Sequence, residues 1–306
     1  METRWPALPF ASTTETRETI HRWAQLIGKI QLEWSSPVNH WWNAALHVTP
    51  RGFATGTMSS DDRWFDLELD FASDVLRVRL NDAADISIPL IGHTVADVYD
   101  ELLGRLREQG INCRISPVPA EVADRTRLDR DTRHGYDKPY ILAMWRIMSQ
   151  TAAIMEQVRA GYIGKASPVQ LFWGHLDLAM TRFSGRAAPL ATGDHIEREA
   201  YSHELASVGF WAGDERMTKA AFYAYAYPEP PGLAVRKLDI PGVYWERTLR
   251  GYYLDYDDVR RRPDPDATIR HFFEAAFATI AEVARWDRAA LERPSMEDQS
   301  WPSVST

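Results

Sequence analysis

Apolar positions along the chain alternate between two periods. After Ser12, residues Ile20, Trp23, Ala24 and Ile27 recur at helical spacing. Ser12 with Glu15 three residues on has the form of a capping box, so the pattern predicts a first helix, ended by Gly28. Strand patterning follows over 44–49, 64–71 and 75–80, and a short turn at Asp74 makes the last two a hairpin. Thr94 and Asp97 then cap a second helix. Its stripe of Val95, Val98, Tyr99, Leu102, Leu103 and Leu106 runs up to a stop at Gly110.

Residues 116–136 are charged and broken by prolines, and read as a connection. Beyond them the order recurs. A helix near Pro139 carries Trp145, Met148, Ala152 and Met155, and strands are expected over 169–181, 201–210, 221–227 and 243–254. A closing helix after Pro265 and Asp266 has the stripe Ile269, Phe272, Phe273, Ala276, Phe277, Ile280 and Val283. The polar tail reads as disordered.

Short matches reinforce the recurrence. Ile27-Gly28-Lys29, Ser36-Pro37-Val38, Trp41-Trp42 and Thr49-Pro50-Arg51-Gly52 are answered by Ile163-Gly164-Lys165, Ser167-Pro168-Val169, Phe172-Trp173 and Thr181-Arg182-Phe183-Ser184-Gly185. The expected fold is therefore α+β. Two related halves, each an antiparallel β-sheet flanked by amphipathic helices, would pack as a pseudo-duplicated single unit. The implied boundaries are 1–115 and 137–290 for the halves, 116–136 for the connection and 291–306 for the tail. If the repeat is real, both Ser-Pro-Val triplets begin elements of the same type.

Composition narrows the function. The net charge of −8 and the lack of a basic run give no footprint for nucleic acid. No stretch is apolar for long enough to span a bilayer, and the N-terminus does not have the form of a signal peptide. Cys113 is the only cysteine, so neither an intrachain disulfide nor a thiolate metal cluster is expected, and a cytoplasmic location fits. No nucleotide-cofactor or hydrolase motif is present. The 12 Trp and 12 Tyr are the distinctive feature, since such rings line core edges or ligand pockets.

Period-two geometry places Trp173, His175, Asp177, Ala179 and Thr181 on one strand face. Tyr201 and His203, with Glu199 before them, share a face on the next strand, and Tyr223, Tyr225 and Tyr227 share one on the strand after. Aligned, these faces would form an aromatic-lined pocket holding the candidate catalytic residues His175, Asp177, His203 and Glu199. Trp173, Tyr201, Tyr223 and Tyr225 would contact substrate, joined by His40 and Trp42 from the first half. Arg182 and Arg186 are candidate anchors for a small anionic molecule, because the guanidinium fork matches a carboxylate or phosphate. The structural alternative pairs them with Asp177, Asp194 or Glu199. A divalent metal on His175, Asp177 and His203 is the less favoured reading, since ligands scattered over two strands have no diagnostic spacing. Lys29 and Lys165 read more simply as cations at helix ends. The leading expectation is a small-molecule enzyme. The alternatives are a non-catalytic binding module and a homo-oligomer that uses the aromatic faces as its interface.

The segments Asn39-His40-Trp41-Trp42, Phe172-Trp173-Gly174, Thr181 to Arg186, Arg198 to Glu204, Gly209-Phe210-Trp211 and Phe222 to Pro228 resemble the DUF5996 family of bacterial proteins of unknown function. The resemblance runs from Trp5 to about Leu291 and implies membership, with no activity attached. Two positions depart from the family pattern: Gln170 stands where it implies a histidine, and His175 where it implies a serine.

Overall fold

The computed structural model describes residues 4–189, 193 and 195–293, so Asp194 and most of the predicted tail lie outside the described residues. The first half opens with helix α1 (Thr14–Trp34) and a broken 3-10 segment, Asn39–Ala44. Six strands follow: β1 (His47–Val48), β2 (Gly52–Ala54), β3 (Met58–Ser60), β4 (Arg63–Asp70), β5 (Val75–Leu80) and β6 (Ile86–Pro89). Helix α2 (Val95–Glu108) closes the half. Pairing is antiparallel in the order β1-β2-β4-β5-β6, with β3 also on β4.

The second half is built from α3 (Lys138–Ala160), β7 (Gln170–Phe172), β8 (Asp177–Ala187), α4 (His195–Ala200), β9 (His203–Trp211), β10 (Ala221–Tyr227), β11 (Tyr244–Glu246), β12 (Gly251–Asp255), α5 (Tyr256–Val259), α6 (Pro265–Val283) and α7 (Arg288–Leu291). Its sheet is antiparallel in the order β11-β12-β10-β9-β8-β7. The α+β class and the two helix-flanked antiparallel sheets agree with the sequence patterning.

Local signals held where they were strongest. Thr94 and Asp97 form a complete capping box, with Asp97 N–H donating to Thr94 Oγ1 at 3.0 Å and Thr94 N–H to Asp97 Oδ2 at 2.9 Å. Gly110 follows α2 in the left-handed region at φ 80°. On β4 the buried Phe65, Leu67 and Leu69 alternate with Asp66, Glu68 and Asp70. Asp70 is fully buried, and the Arg51 and Arg77 guanidinium groups hold it at 2.7 and 3.1 Å. Burial works against its charge but is outweighed by hydrogen bonds from Arg51, the Ser73 N–H and Arg77, which bring the pKa down to about 2.

The repeat does not extend to the short matches. Ser36-Pro37-Val38 leads into the 3-10 segment, whereas Ser167-Pro168-Val169 leads into strand β7. Gly28 lies inside α1, which runs on to Trp34, while Gly164 lies beyond the end of α3. Each half has a six-stranded antiparallel sheet with helices, but α4 interrupts the second half between β8 and β9, the strand orders differ, and the matched triplets are not equivalent positions. Ser12 also sits in a 3-10 turn, and Thr13 before α1 makes no side-chain cap.

One buried cluster draws residues from both halves, including Trp23, Phe53 and Leu67 from the first and Met148, Phe222 and Phe273 from the second. The sheets meet edge to edge where Leu46 and Leu171 exchange both backbone hydrogen bonds, at 2.8 and 2.9 Å. Helix α3 packs against α1, α6, β1 and β8, so it touches both sheets. The 116–136 connection is fastened along α1. Gln25 takes the Ala120 N–H at 2.8 Å and donates to its carbonyl at 2.9 Å, and Arg133 reaches Glu18 at 2.9 Å.

The closest seam is at Gly28. The Trp173 indole lies on α1 there and donates to the Ala44 carbonyl at 2.7 Å; a Cβ on Gly28 would fall 2.3 Å from Trp173 Cδ1. Two turns earlier, His21 Nε2 donates to the Trp173 and Gly174 carbonyls at 2.9 and 3.0 Å. Burial is the main cause that lowers the His21 pKa to about 4, so the ring is neutral over the physiological range.

Two outcomes follow from this seam. Alanine at position 28 gains about 1 kcal/mol of helix propensity but overpacks the pinned indole, so Gly28→Ala should cost about 1–3 kcal/mol net in urea unfolding. A neutral or stabilising result would mean that the indole moves freely. His21 binds fewer protons folded than unfolded between pH 6.5 and about 4. Its contribution, about 3 kcal/mol, is complete above pH 6.5 and is lost as pH falls through 4. Unfolding free energies measured across that window should fall more steeply for wild type than for His21→Gln.

Candidate functional site

The registers of β8, β9 and β10 define one face of the second sheet. Asp177 stands opposite Trp211, Ala179 opposite Gly209, and Thr181 opposite Ser207. On the far side of β9, Tyr223 stands opposite Gly209, Tyr225 opposite Ser207 and Tyr227 opposite Leu205. Leu178, Met180, Phe210 and Phe222 point the other way, into the core against α6. Period-two reading thus placed Asp177, Tyr223 and Tyr225 together correctly.

Gly209 is what lets these groups meet. A Cβ there would fall 2.1 Å from Tyr223 Cζ, so only glycine allows the ring to lie across β9. The Tyr223 hydroxyl then donates to Asp177 Oδ2 on the far strand. Asp177 keeps part of its surface accessible and forms no ion pair among the described residues. Burial pushes its pKa up, against the lowering effect of the Tyr223 hydrogen bond. Burial likewise drives Tyr223 and Tyr225 well above the ordinary phenol value. Tyr201 covers the row, its hydroxyl 3.4 Å from that of Tyr225 and its ring 4.7 Å from that of Tyr227.

His175 stands at the rim rather than on the face. Residues 173–176 are the turn joining β7 to β8, with Leu176 in the left-handed region at φ 53°, so 169–181 is a hairpin and not one strand. Trp173 is consequently a seam residue. His175 lies between Glu121 of the connection, 3.5 Å from its Nε2, and Arg216, 3.3 Å from its Nδ1. Its carbonyl accepts from Trp211 Nε1 at 3.1 Å.

His203 begins β9 opposite Ala187, at the other end of the strand from Trp211 and Asp177. His175, Asp177 and His203 therefore do not converge as metal ligands. Among the described residues no group of three or more His, Cys, Asp or Glu side chains is placed to hold a metal ion. His203 instead lies with His40, ring centres 5.7 Å apart, and His40 stacks on Phe183 at 4.5 Å and Trp42 at 5.3 Å. Glu199 is exposed on α4, and Tyr201 precedes β9, so neither occupies the strand position expected of it.

Neither arginine is an open anion anchor. Arg182 alternates onto the core face and is buried; it donates to the Val158 carbonyl, lies 4.3 Å from the Phe277 ring centre and leaves Nε without a partner. Arg186 is held by Glu204 at 2.8 Å from Nε and by the Ala284 carbonyl at 2.7 Å. Its carboxylate partner is thus Glu204, and not Asp177 or Glu199. Strand parity explains the first outcome, and the β-bulge between Phe183 and Ala187 turns Arg186 toward the end of α6. Two cavities lie away from the tyrosine face. One, about 10 Å³, borders Arg182; the other, about 410 Å³, lies between Asp239, Pro241, Arg262 and His271.

Sequence reasoning missed Glu121, which no motif marks, and set Lys165 aside as a helix-end cation. Lys165 lies past the end of α3 and makes a 2.6 Å hydrogen bond to His40 Nε2.

A family model described as "Family of unknown function (DUF5996)" matches residues 5–293. No curated protein and no solved structure matches the chain.

The arginine geometry has a direct check. Arg186→Lys keeps the charge but loses the fork between Glu204 and the α6 carbonyls. It should lower stability by about 1 kcal/mol, read as a drop of ~2 °C in melting temperature. An unchanged melting temperature would return Arg186 to the pool of free anion anchors.

Proposed function

The chain belongs to the DUF5996 family, whose function is unknown, and from that premise we propose a small-molecule enzyme that uses Asp177 as general acid–base on the tyrosine face of its second sheet. The observation that carries this reading is the unpaired state of the Asp177 carboxyl. The same chain shows how it holds a structural carboxylate: Asp70 lies between two arginines, its pKa pulled down to about 2. Asp177 forms no ion pair among the described residues and accepts from the Tyr223 hydroxyl, and its pKa is pushed the other way. A carboxyl desolvated without a counter-charge costs stability, and a carboxyl pKa raised in this way is a mark of proton-transfer sites.

In this reading Tyr223 orients the carboxyl, and Tyr225, Tyr201 and Trp211 offer ring faces to a flat or partly apolar ligand. His175 and Glu121 stand at the entrance. The ligand is a small molecule, with no role for nucleic acid or membrane; among the described residues no helix is long and apolar enough to cross a bilayer. A cytoplasmic setting suits the single Cys113, whose thiol burial pushes up to about 11, far from thiolate reactivity at neutral pH.

Asp177→Asn tests the reading before any substrate is known. The folded protein binds more protons at this site than the unfolded chain between the ordinary carboxyl value of 3.8 and the raised one. The stability cost is therefore absent below that window and fully present above it. The substitution should raise the melting temperature at pH 8, with the gain fading toward pH 4. With a substrate found by native mass spectrometry against metabolite extracts, it should lower turnover about 10²–10⁴-fold. A variant that is destabilised at pH 8 would mark Asp177 as structural. Binding that survives without any turnover would favour a non-catalytic module.

A further inference from the structure

At the end of β8 remote from Asp177 stands a second group. Asp177 and Phe183 are six residues apart on one strand, or about 20 Å at the ordinary strand rise, so the two ends are separate centres. Lys165 reaches Phe183 from the loop that follows α3. Its backbone is fixed, since the Phe183 N–H donates to the Lys165 carbonyl at 3.0 Å and Ala166 bridges to Arg182. The half-buried ammonium lies 4.9 Å from the Phe183 ring centre and 5.6 Å from that of Trp42. Among the described residues no carboxylate forms an ion pair with it. Its hydrogen bond goes to His40 Nε2 at 2.6 Å.

The tautomer of His40 follows from its other nitrogen. Nδ1 faces the Ala200 carbonyl at 3.0 Å, which calls for a proton on Nδ1, so Nε2 carries the lone pair that accepts from Lys165. Burial lowers the pKa of both groups, and His203 is the other titratable side chain beside His40. His40 and Trp41 are consecutive non-glycine residues in the left-handed region, both at φ 60°. That backbone costs free energy and is kept where surroundings over-determine a side chain's place. Here it holds an imidazole lone pair against a lysine.

A lysine meant only to hold an anion gains from keeping its charge. This one has no carboxylate partner among the described residues, its partial burial disfavours the ammonium, and His40 Nε2 stands within hydrogen-bond reach to take its proton. We propose that Lys165 is a nucleophilic amine that forms an imine with an aldehyde or ketone ligand, with His40 as its proton carrier. The Nζ lone pair attacks the carbonyl carbon, and the C=O pair moves to oxygen. His40 Nε2 takes one proton from nitrogen and returns it to that oxygen, giving the carbinolamine. The nitrogen lone pair then forms the C=N bond and the C–O bond breaks. Hydroxide leaves as water with the remaining N–H proton, again carried by His40. Nothing is oxidised or reduced, and one water is released.

The chain has five lysines, at 29, 138, 165, 219 and 237, so adducts can be mapped without ambiguity. The full-length protein is treated with benzaldehyde and sodium cyanoborohydride over a range of pH, and each lysine is quantified by peptide mass spectrometry. Lys165 should label at least tenfold faster at pH 7.5 than exposed Lys237, with its rate rising at lower pH than the rate at Lys237. His40→Asn, which tolerates left-handed backbone, should slow Lys165 labelling several-fold in protein that remains folded by circular dichroism. Labelling of Lys165 no faster than Lys237 overturns the proposal, as does a folded His40→Asn variant with an unchanged rate. If His40→Asn does not fold, the wild-type comparison alone decides. An unreactive Lys165 whose protein is stabilised by inorganic phosphate, with Lys165→Arg keeping that effect, would make it an anion anchor instead. Asp177→Asn should leave Lys165 labelling unchanged, so this proposal and the Asp177 reading fail or stand separately.

Discussion

The second half is mounted on the first through a notch in α1. Gly28 leaves the helix surface bare where the Trp173 indole sits, and His21, two turns of side chain away, receives the carbonyls of the same hairpin turn. Because that turn starts β8, its seating fixes the height of β8 against α1 and so the position of Asp177. The Leu46–Leu171 pair joins the two sheet edges beside it. A helix interior that accepts glycine loses helix propensity. The close indole contact is the compensating gain, since it buries a large ring and satisfies its N–H on Ala44.

Charge is handled in two ways within one chain. The first sheet carries its carboxylates in pairs with arginine: Asp70 with Arg51 and Arg77, and Glu68 and Asp66 with Arg79. The connection repeats this along α1 with Arg22, Arg133, Asp124 and Asp131. These groups tie segments together, and each loses most of its chemical freedom in doing so. The second sheet leaves Asp177 on a tyrosine and Lys165 on a histidine. Burial shifts both toward their neutral forms, neither forms an ion pair among the described residues, and both keep some access to solvent. That contrast is what the proposed acid–base and amine roles rest on.

The tyrosine face is shaped by absences as much as by side chains. Gly209 makes the space that Tyr223 fills, and the short Thr181–Ser207 pair, 3.0 Å between hydroxyl oxygens, keeps the middle of the face low. The rings of Tyr201 and Tyr227 then form a wall above it. One end carries the Asp177 carboxyl, and the other the Lys165 amine beside the His40 imidazole.

Much of this was legible in the chain itself. The helices α2 and α6, the β4–β5 hairpin, and the common face of Tyr223, Tyr225 and Tyr227 follow from periods of 3.6 and 2, which are local properties of the backbone. So do the α+β class and the pairing of a sheet with flanking helices in each half. Periodicity assigns a side chain to a face but does not choose its neighbour. Whether Arg186 meets a ligand or Glu204 depends on a bulge in β8 and on where α6 ends. Whether Gly28 stops a helix or receives an indole depends on a turn more than a hundred residues later. The Ser-Pro-Val triplets look alike as strings yet begin different elements, because the strand at 170–172 exists only through its partners in β8 and at Leu46. The sequence determined which residues could carry chemistry. The tertiary structure separated His175 from His203, put Arg182 into the core and brought Lys165 to His40, because strand register and cross-half packing are set by long-range contacts that no local pattern encodes.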